Sequence, residues 1–120
     1  MRRVLFVLFC AIFIAMIAVS VVATLERGVF TALADLWSDA WFRATLADAY
    51  FGFLTFYCWV AYRENGWVGR AVWLVAILGL GNVAMSVYVL ACLWGLPAGA
   101  PLWQVLLRPE HRRCPAPAAG

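Results

Sequence analysis

The sequence contains no lysine and a single histidine, and charged residues make up only 12% of its 120 positions. A soluble domain is typically about 25% charged and 45–50% apolar. Here the apolar share is 67%, more than one aqueous core of this length would hide, and the class it implies is an integral membrane protein. Basic residues are scarce too: nine arginines are spread over termini and loops, without the basic, aromatic-interleaved stretch that would suggest a nucleic-acid partner. No CxxC pair occurs, and Cys10, Cys58 and Cys92 lie in apolar runs, where cysteine behaves as a small hydrophobe. His111 and Cys114 are too few for a metal site. There is no GxSxG, no HExxH and no phosphate-cradling glycine loop. Gly79 and Gly81 sit inside an apolar run and read as packing glycines. A self-contained enzyme is not expected, and the question of a cofactor stays open.

What is present is three long apolar runs. The first, residues 4–25, lacks charge, glycine and proline. As a helix it reaches about 33 Å, against about 30 Å for the hydrocarbon core of a bilayer. Arg2 and Arg3 before it and Val21-Val22-Ala23 near its end resemble a signal peptide. Its length exceeds the usual 7–15 residue apolar region, which favours a retained span. Residues 28–42 alternate differently: Phe30, Leu33, Ala34, Trp37 and Trp41 fall on one side of a helix, and Thr31, Asp35, Ser38 and Asp39 on the other. That pattern predicts an amphipathic helix in the membrane interface, its tryptophans at headgroup level. The second span is expected at 44–62, followed by the polar turn "RENGWVGR" with its Asn65-Gly66 turn dipeptide. The third is expected at 71–94, ended by "GLPAGAP". "LWQVLLR" suggests one more interfacial turn. The expected fold is therefore all-α: a single membrane domain over 1–107 with three transmembrane helices and an interfacial helix between the first two, then a flexible tail over 108–120.

Asp48 is the one carboxylate within the second span. It lies about 22 Å from the short turn, level with Asn82 and Ser86 at about 18 and 24 Å if the third span is one straight helix. Ser20, Thr24 and Thr45 fall in the same leaflet. Small residues would bring the faces together: Ala44, Asp48 and Gly52 on the second span, Gly79, Asn82 and Ser86 on the third, and Ala11, Ala15, Ala18 and Val22 on the first. Asp48 then reads as a clamp that hydrogen-bonds Asn82, Ser86 or the first-span hydroxyls. The rival is a titrating or headgroup-binding site, since an ionisable residue inside a span is a functional candidate by default. Three crossings put the N-terminus and the "RENGWVGR" turn on one side. Arg2, Arg3, Arg63 and Arg70 there nearly tie with Arg27, Arg43, Arg108, Arg112 and Arg113 opposite. The distance of Arg112 and Arg113 from the last span tips the balance to a cytoplasmic N-terminus and an external C-terminus in a bacterial inner membrane.

The segments "TLADAYFGFLTFYCWVAYRE" and "GNVAMSVYVL" resemble a family of small bacterial and plant membrane proteins known only as a domain of unknown function (DUF1475). The resemblance covers residues 1–107, and its signature falls on Asp48, the boundary pair Arg63 and Glu64, Gly81 and Asn82. It implies a three-helix membrane fold and carries no activity across. The function expected is a non-enzymatic accessory or scaffold subunit, associating with membrane lipids and with a membrane-protein partner or itself. Two alternatives remain open. One is a lipid-, isoprenoid- or pigment-handling protein lined by Asp48, Asn82, Tyr50, Tyr57 and Tyr88. The other is an oligomeric proton or ion path through Asp48.

Overall fold

The structure, a computed structural model, describes residues 1–109. Five α-helices and one short 3-10 helix follow one another, and no strand occurs among the described residues. The first helix, α1 (Arg2–Glu26), runs unbroken because nothing in it interrupts the backbone ladder. It ends where Arg27 turns extended ahead of Gly28. The next, α2 (Val29–Leu36), is shorter than the interfacial helix expected over 28–42. Asp39 explains the difference: its carboxylate accepts the Phe42 amide at 2.8 Å and caps the start of α3 (Ala40–Arg63). Trp41 and Phe42 thus open α3 instead of closing α2. Two arginines fix this connector. Arg27 pairs with Asp35, and Arg43 Nη1 donates to the carbonyls of Trp37 and Ser38 at 2.8 and 3.2 Å.

Glu64 leaves the helix in an extended conformation, and α4 (Trp67–Leu80) begins after Gly66. Arg70 Nε closes the turn by donating to the Glu64 carbonyl at 2.9 Å. The antiparallel pairing of α3 and α4 is visible in two tyrosines: Tyr57 donates to the Arg70 carbonyl (3.1 Å) and Tyr50 to the Leu78 carbonyl (3.4 Å).

The apolar run expected to form one span over 71–94 is two helices, and this corrects the three-span reading. The ladder stops at Gly81, whose φ of 54° and ψ of −126° are open to glycine and strained for other residues. The second half, α5 (Asn82–Trp94), folds back along α4. The rings of Trp73 and Tyr88 are 4.8 Å apart, whereas a continuous helix would separate their backbones by about 22 Å. From that reversal the chain returns to the end where it began. Phe6 meets Trp94 at 6.3 Å and Arg2 Nη1 donates to the Pro97 carbonyl at 3.4 Å, so α1 lies antiparallel to α5. The 3-10 helix Leu102–Val105 then crosses the C-terminal end of α3, where Trp59 Nε1 donates to the Leu106 carbonyl at 3.3 Å and Arg108 donates to the Tyr62 carbonyl. The C-terminal segment up to Pro109 consequently lies at the same end of the molecule as Arg2, whereas one straight helix over 71–94 would carry it to the other end. Most of the expected tail, with His111, Arg112, Arg113 and Cys114, lies outside the described residues.

The core sits at this end. It is built from Val60, Ile77, Ala84, Tyr88, Val89, Cys92, Leu93, Leu96 and Val105, with Leu5, Phe6 and Phe9 of α1 packed against it. The faces that meet are not the small-residue faces. A Cβ at Gly52 or Gly79 would touch nothing within 4 Å, and Ala11, Ala15 and Ala18 are exposed. Bulky residues fill the contacts instead, because α5 needs the space between α3, α4 and α1.

Candidate functional site

The polar cluster expected around Asp48 does not assemble. Ser20, Thr24, Thr45, Asp48 and Asn82 are all exposed, and Ser86 alone is buried. Thr24 bonds back to the Ser20 carbonyl (2.7 Å) and Thr45 to the Trp41 carbonyl (2.8 Å), each within its own helix. Neither Asp48 nor Asn82 makes a side-chain hydrogen bond or ion pair with the described residues. The cause is the reversal at Gly81. It leaves Asn82 at the tip of the α4–α5 hairpin and sends Ser86 back toward the Arg63 end.

The boundary pair is where polar chemistry collects. Arg63 ends α3 yet is only 7% exposed. Its guanidinium carbon lies 5.9 Å from the ring centre of Trp59, one turn earlier on α3, and 5.7 Å from that of Tyr88 on α5. Arg63 Nε and Nη1 are buried and have no hydrogen-bond partner. Since solvent does not reach them, the two rings are their environment, and attraction to a ring face is worth about 0.5–2 kcal/mol per contact. Glu64 does not neutralise the charge. Its Oε1 accepts the Tyr88 hydroxyl at 3.0 Å, and its Oε2 lies 3.1 Å from where a Cβ on Gly69 would be. Tyr88 is the hub: besides Glu64 and Arg63 it meets Trp73 at 4.8 Å, Trp59 at 5.4 Å and Phe56 at 6.3 Å, all edge-on. This knot ties α3, α4 and α5 into one unit. Sequence reading named Arg63 and Glu64 and missed their partner. A straight third span would carry Tyr88 to the far side of the membrane. The Trp59–Arg63 spacing of one turn was the available signal.

On the other side of the α3–α4 pair, away from α5, a cavity of about 260 Å³ opens between Tyr57 and Ala61 of α3 and Trp67, Arg70, Ala71 and Leu74 of α4. Two alanines at facing positions leave this gap. Among the described residues no group of three or more His, Cys, Asp or Glu gathers that could hold a metal ion.

The family model described as "Protein of unknown function (DUF1475)" matches residues 1–113. The chain belongs to this family. That match takes in every element described above, including the Gly81 reversal and the Arg63–Glu64–Tyr88 knot, so both fall within the DUF1475 domain. No curated protein and no solved structure matches the chain.

Proposed function

We propose that the chain is a small, non-enzymatic integral membrane protein that serves as an accessory or scaffold subunit. The observation that carries this reading is an extended apolar surface that the protein itself does not cover. No residue of α1 is buried within the protein, and Val4, Val7, Ile14, Val19, Val21, Val22 and Leu25 stand exposed along it, while Arg63 and Ser86 are inside. In water such a surface would drive association; in hydrocarbon it is solvated. Helix α1 is the one described helix both long and apolar enough to cross a membrane by length and composition. Its packing against α5 through Phe6 and Trp94 supports a retained span over a cleaved signal.

In this reading α3, long enough at 24 residues though less apolar than α1, crosses as well beside it. The α4–α5 hairpin, with helices of about 21 and 20 Å, enters from the Arg63 end and returns without crossing. Irregular backbone at membrane depth is tolerated where protein covers it, and Gly81 is buried beneath the Phe53 ring. Arg2, Arg3, Arg63, Arg70 and Arg108 gather at one end, against Arg27 and Arg43 at the other. The positive-inside rule then makes the five-arginine end cytoplasmic, in the inner membrane if the host is a bacterium. The open Ala11–Ala15–Ala18 face of α1 suits close helix association and is the surface for a membrane partner or a second copy.

Alkaline carbonate extraction followed by native mass measurement in mild detergent tests the proposal. The expected result is a carbonate-resistant chain that is released with a stoichiometric protein partner or as a homo-oligomer. A carbonate-soluble chain overturns the membrane reading, and a bare monomer overturns the subunit reading.

A further inference from the structure

Resting on the membrane reading, we infer that the α3–α4 groove binds an anionic phospholipid, with the headgroup phosphate at Arg70 and an acyl chain along Ala61, Ala71 and Leu74. The groove is polar at one end only. Arg70 stands one turn into α4, half-buried, while Ala71 and Leu74 continue along α4 below it and Tyr57 and Ala61 form the facing wall. A phospholipid has the same gradient, charge above and hydrocarbon beneath.

Arg70 is prepared for this role. Its Nε is committed to the Glu64 carbonyl at 2.9 Å, which holds the side chain in place, and its two terminal nitrogens make no bond to the described residues. A guanidinium edge of that kind suits a phosphate oxygen pair. No carboxylate of the described residues pairs with it: Glu64, the acid nearest in the chain, accepts the Tyr88 hydroxyl through Oε1. Trp67 at the mouth is 81% exposed, in the position of an interfacial anchor. At about 260 Å³ the groove is smaller than the roughly 300–1,000 Å³ of pockets that enclose a whole drug-sized ligand. It accepts one chain and leaves the rest of the lipid against the bilayer. A zwitterionic lipid would bring a cation toward Arg70 along with its phosphate, and the four other arginines at this end favour net negative charge.

The test is native mass spectrometry of the full chain in detergent, titrated with phosphatidylglycerol, with phosphatidylcholine of the same acyl chains, and with inorganic phosphate. The wild type should retain phosphatidylglycerol about five-fold better than phosphatidylcholine, the scale expected for one basic residue facing an anionic headgroup. Arg70→Gln should abolish the preference. Ala71→Phe, which fills the groove and leaves the Arg70–Glu64 bond alone, should lose phosphatidylglycerol retention although the charge is intact. Equal retention of the two lipids by the wild type overturns the inference, as does a preference that survives Ala71→Phe. Displacement of phosphatidylglycerol by millimolar inorganic phosphate would identify a site for soluble anions and overturn it too. A carbonate-resistant chain with no lipid preference fails this inference alone; a carbonate-soluble chain fails the membrane reading beneath it.

Discussion

A Cβ on Gly81 would stand 2.7 Å from Cζ of Phe53, so the ring of α3 rests on the turn that reverses the chain between α4 and α5. Two constraints therefore meet at one residue. Its φ of 54° disfavours any side chain, and the ring occupies the space a side chain would need. Gly81→Ala should destabilise the protein by about 2–5 kcal/mol, summing backbone strain and overpacking. Phe53→Ala in the same chain should restore part of that loss, because it removes the clash and leaves the strain. A thermal-melt double-mutant cycle in detergent measures the coupling, expected at about 1–3 kcal/mol. Strictly additive costs would show that the ring does not bear on the turn.

Arg63 gives the opposite expectation for a charged residue. Its Nε and Nη1 are buried without hydrogen-bond partners, so removing the guanidinium while keeping the volume costs little. Replacing buried charge by a well-packed apolar side chain is often neutral or stabilising. Arg63→Met should melt within about 1 kcal/mol of the parent, or above it. Arg63→Ala should lose roughly 2–4 kcal/mol by opening a cavity beside Trp59 and Tyr88. If methionine proves as damaging as alanine, the guanidinium holds bonds beyond its two ring contacts.

Asp48 is exposed and makes no side-chain bond to the described residues, and the expectation that follows is that its loss leaves stability unchanged. Asp48→Asn and Asp48→Leu should both melt within about 0.5 kcal/mol of the parent, the range of surface substitutions away from special features. A clear loss in the leucine variant alone would restore the clamp. Unchanged stability in both directs attention to a role in which the carboxylate meets water, an ion or a headgroup.

These contrasts mark what was legible in the sequence. The limits of α1 were, because an unbroken apolar run between charges has one reading. The turn at Asn65-Gly66 was, because its residues are turn formers with a mechanism. The reversal at Gly81 was not: a glycine in an apolar helix serves close packing or a break equally well, and only the Phe53 ring and the landing site of α5 decide. The errors that followed share that one cause. A straight third span carries Ser86 toward Asp48 and Tyr88 away from Glu64, whereas the fold-back does the reverse. The start of α3 at Ala40 was written in Asp39, an acid three residues ahead of Phe42, but the tryptophan periodicity across 30–41 masked it.

In the proposed membrane reading the fold-back also changes which segments share a side. Arg2 bonds the Pro97 carbonyl and Arg108 bonds the Tyr62 carbonyl, so the N-terminus, the α3–α4 turn and the segment after α5 share one end of the molecule and, in that reading, one side. Single cysteines at Asn65, Gly99 and Ser38, in a background with the four native cysteines replaced by serine or alanine, separate the possibilities. With an impermeant thiol reagent on intact cells, Ser38→Cys should label, while Asn65→Cys and Gly99→Cys should label only after lysis. Gly99→Cys labelling together with Ser38→Cys, and Asn65→Cys protected, would mean that residues 71–94 cross the membrane once and that the hairpin does not exist there. Asn65→Cys and Gly99→Cys labelling together in intact cells, with Ser38→Cys protected, would keep the hairpin and invert the orientation, against the five-arginine end. The bond from Arg2 to Pro97 supplies a further check, since loss of the first residues of α1 removes it. Intact mass of the membrane-extracted chain should therefore include all of α1, and a start near Thr24 would show that α1 is cleaved and that the packing of Phe6 on Trp94 is absent from the mature protein.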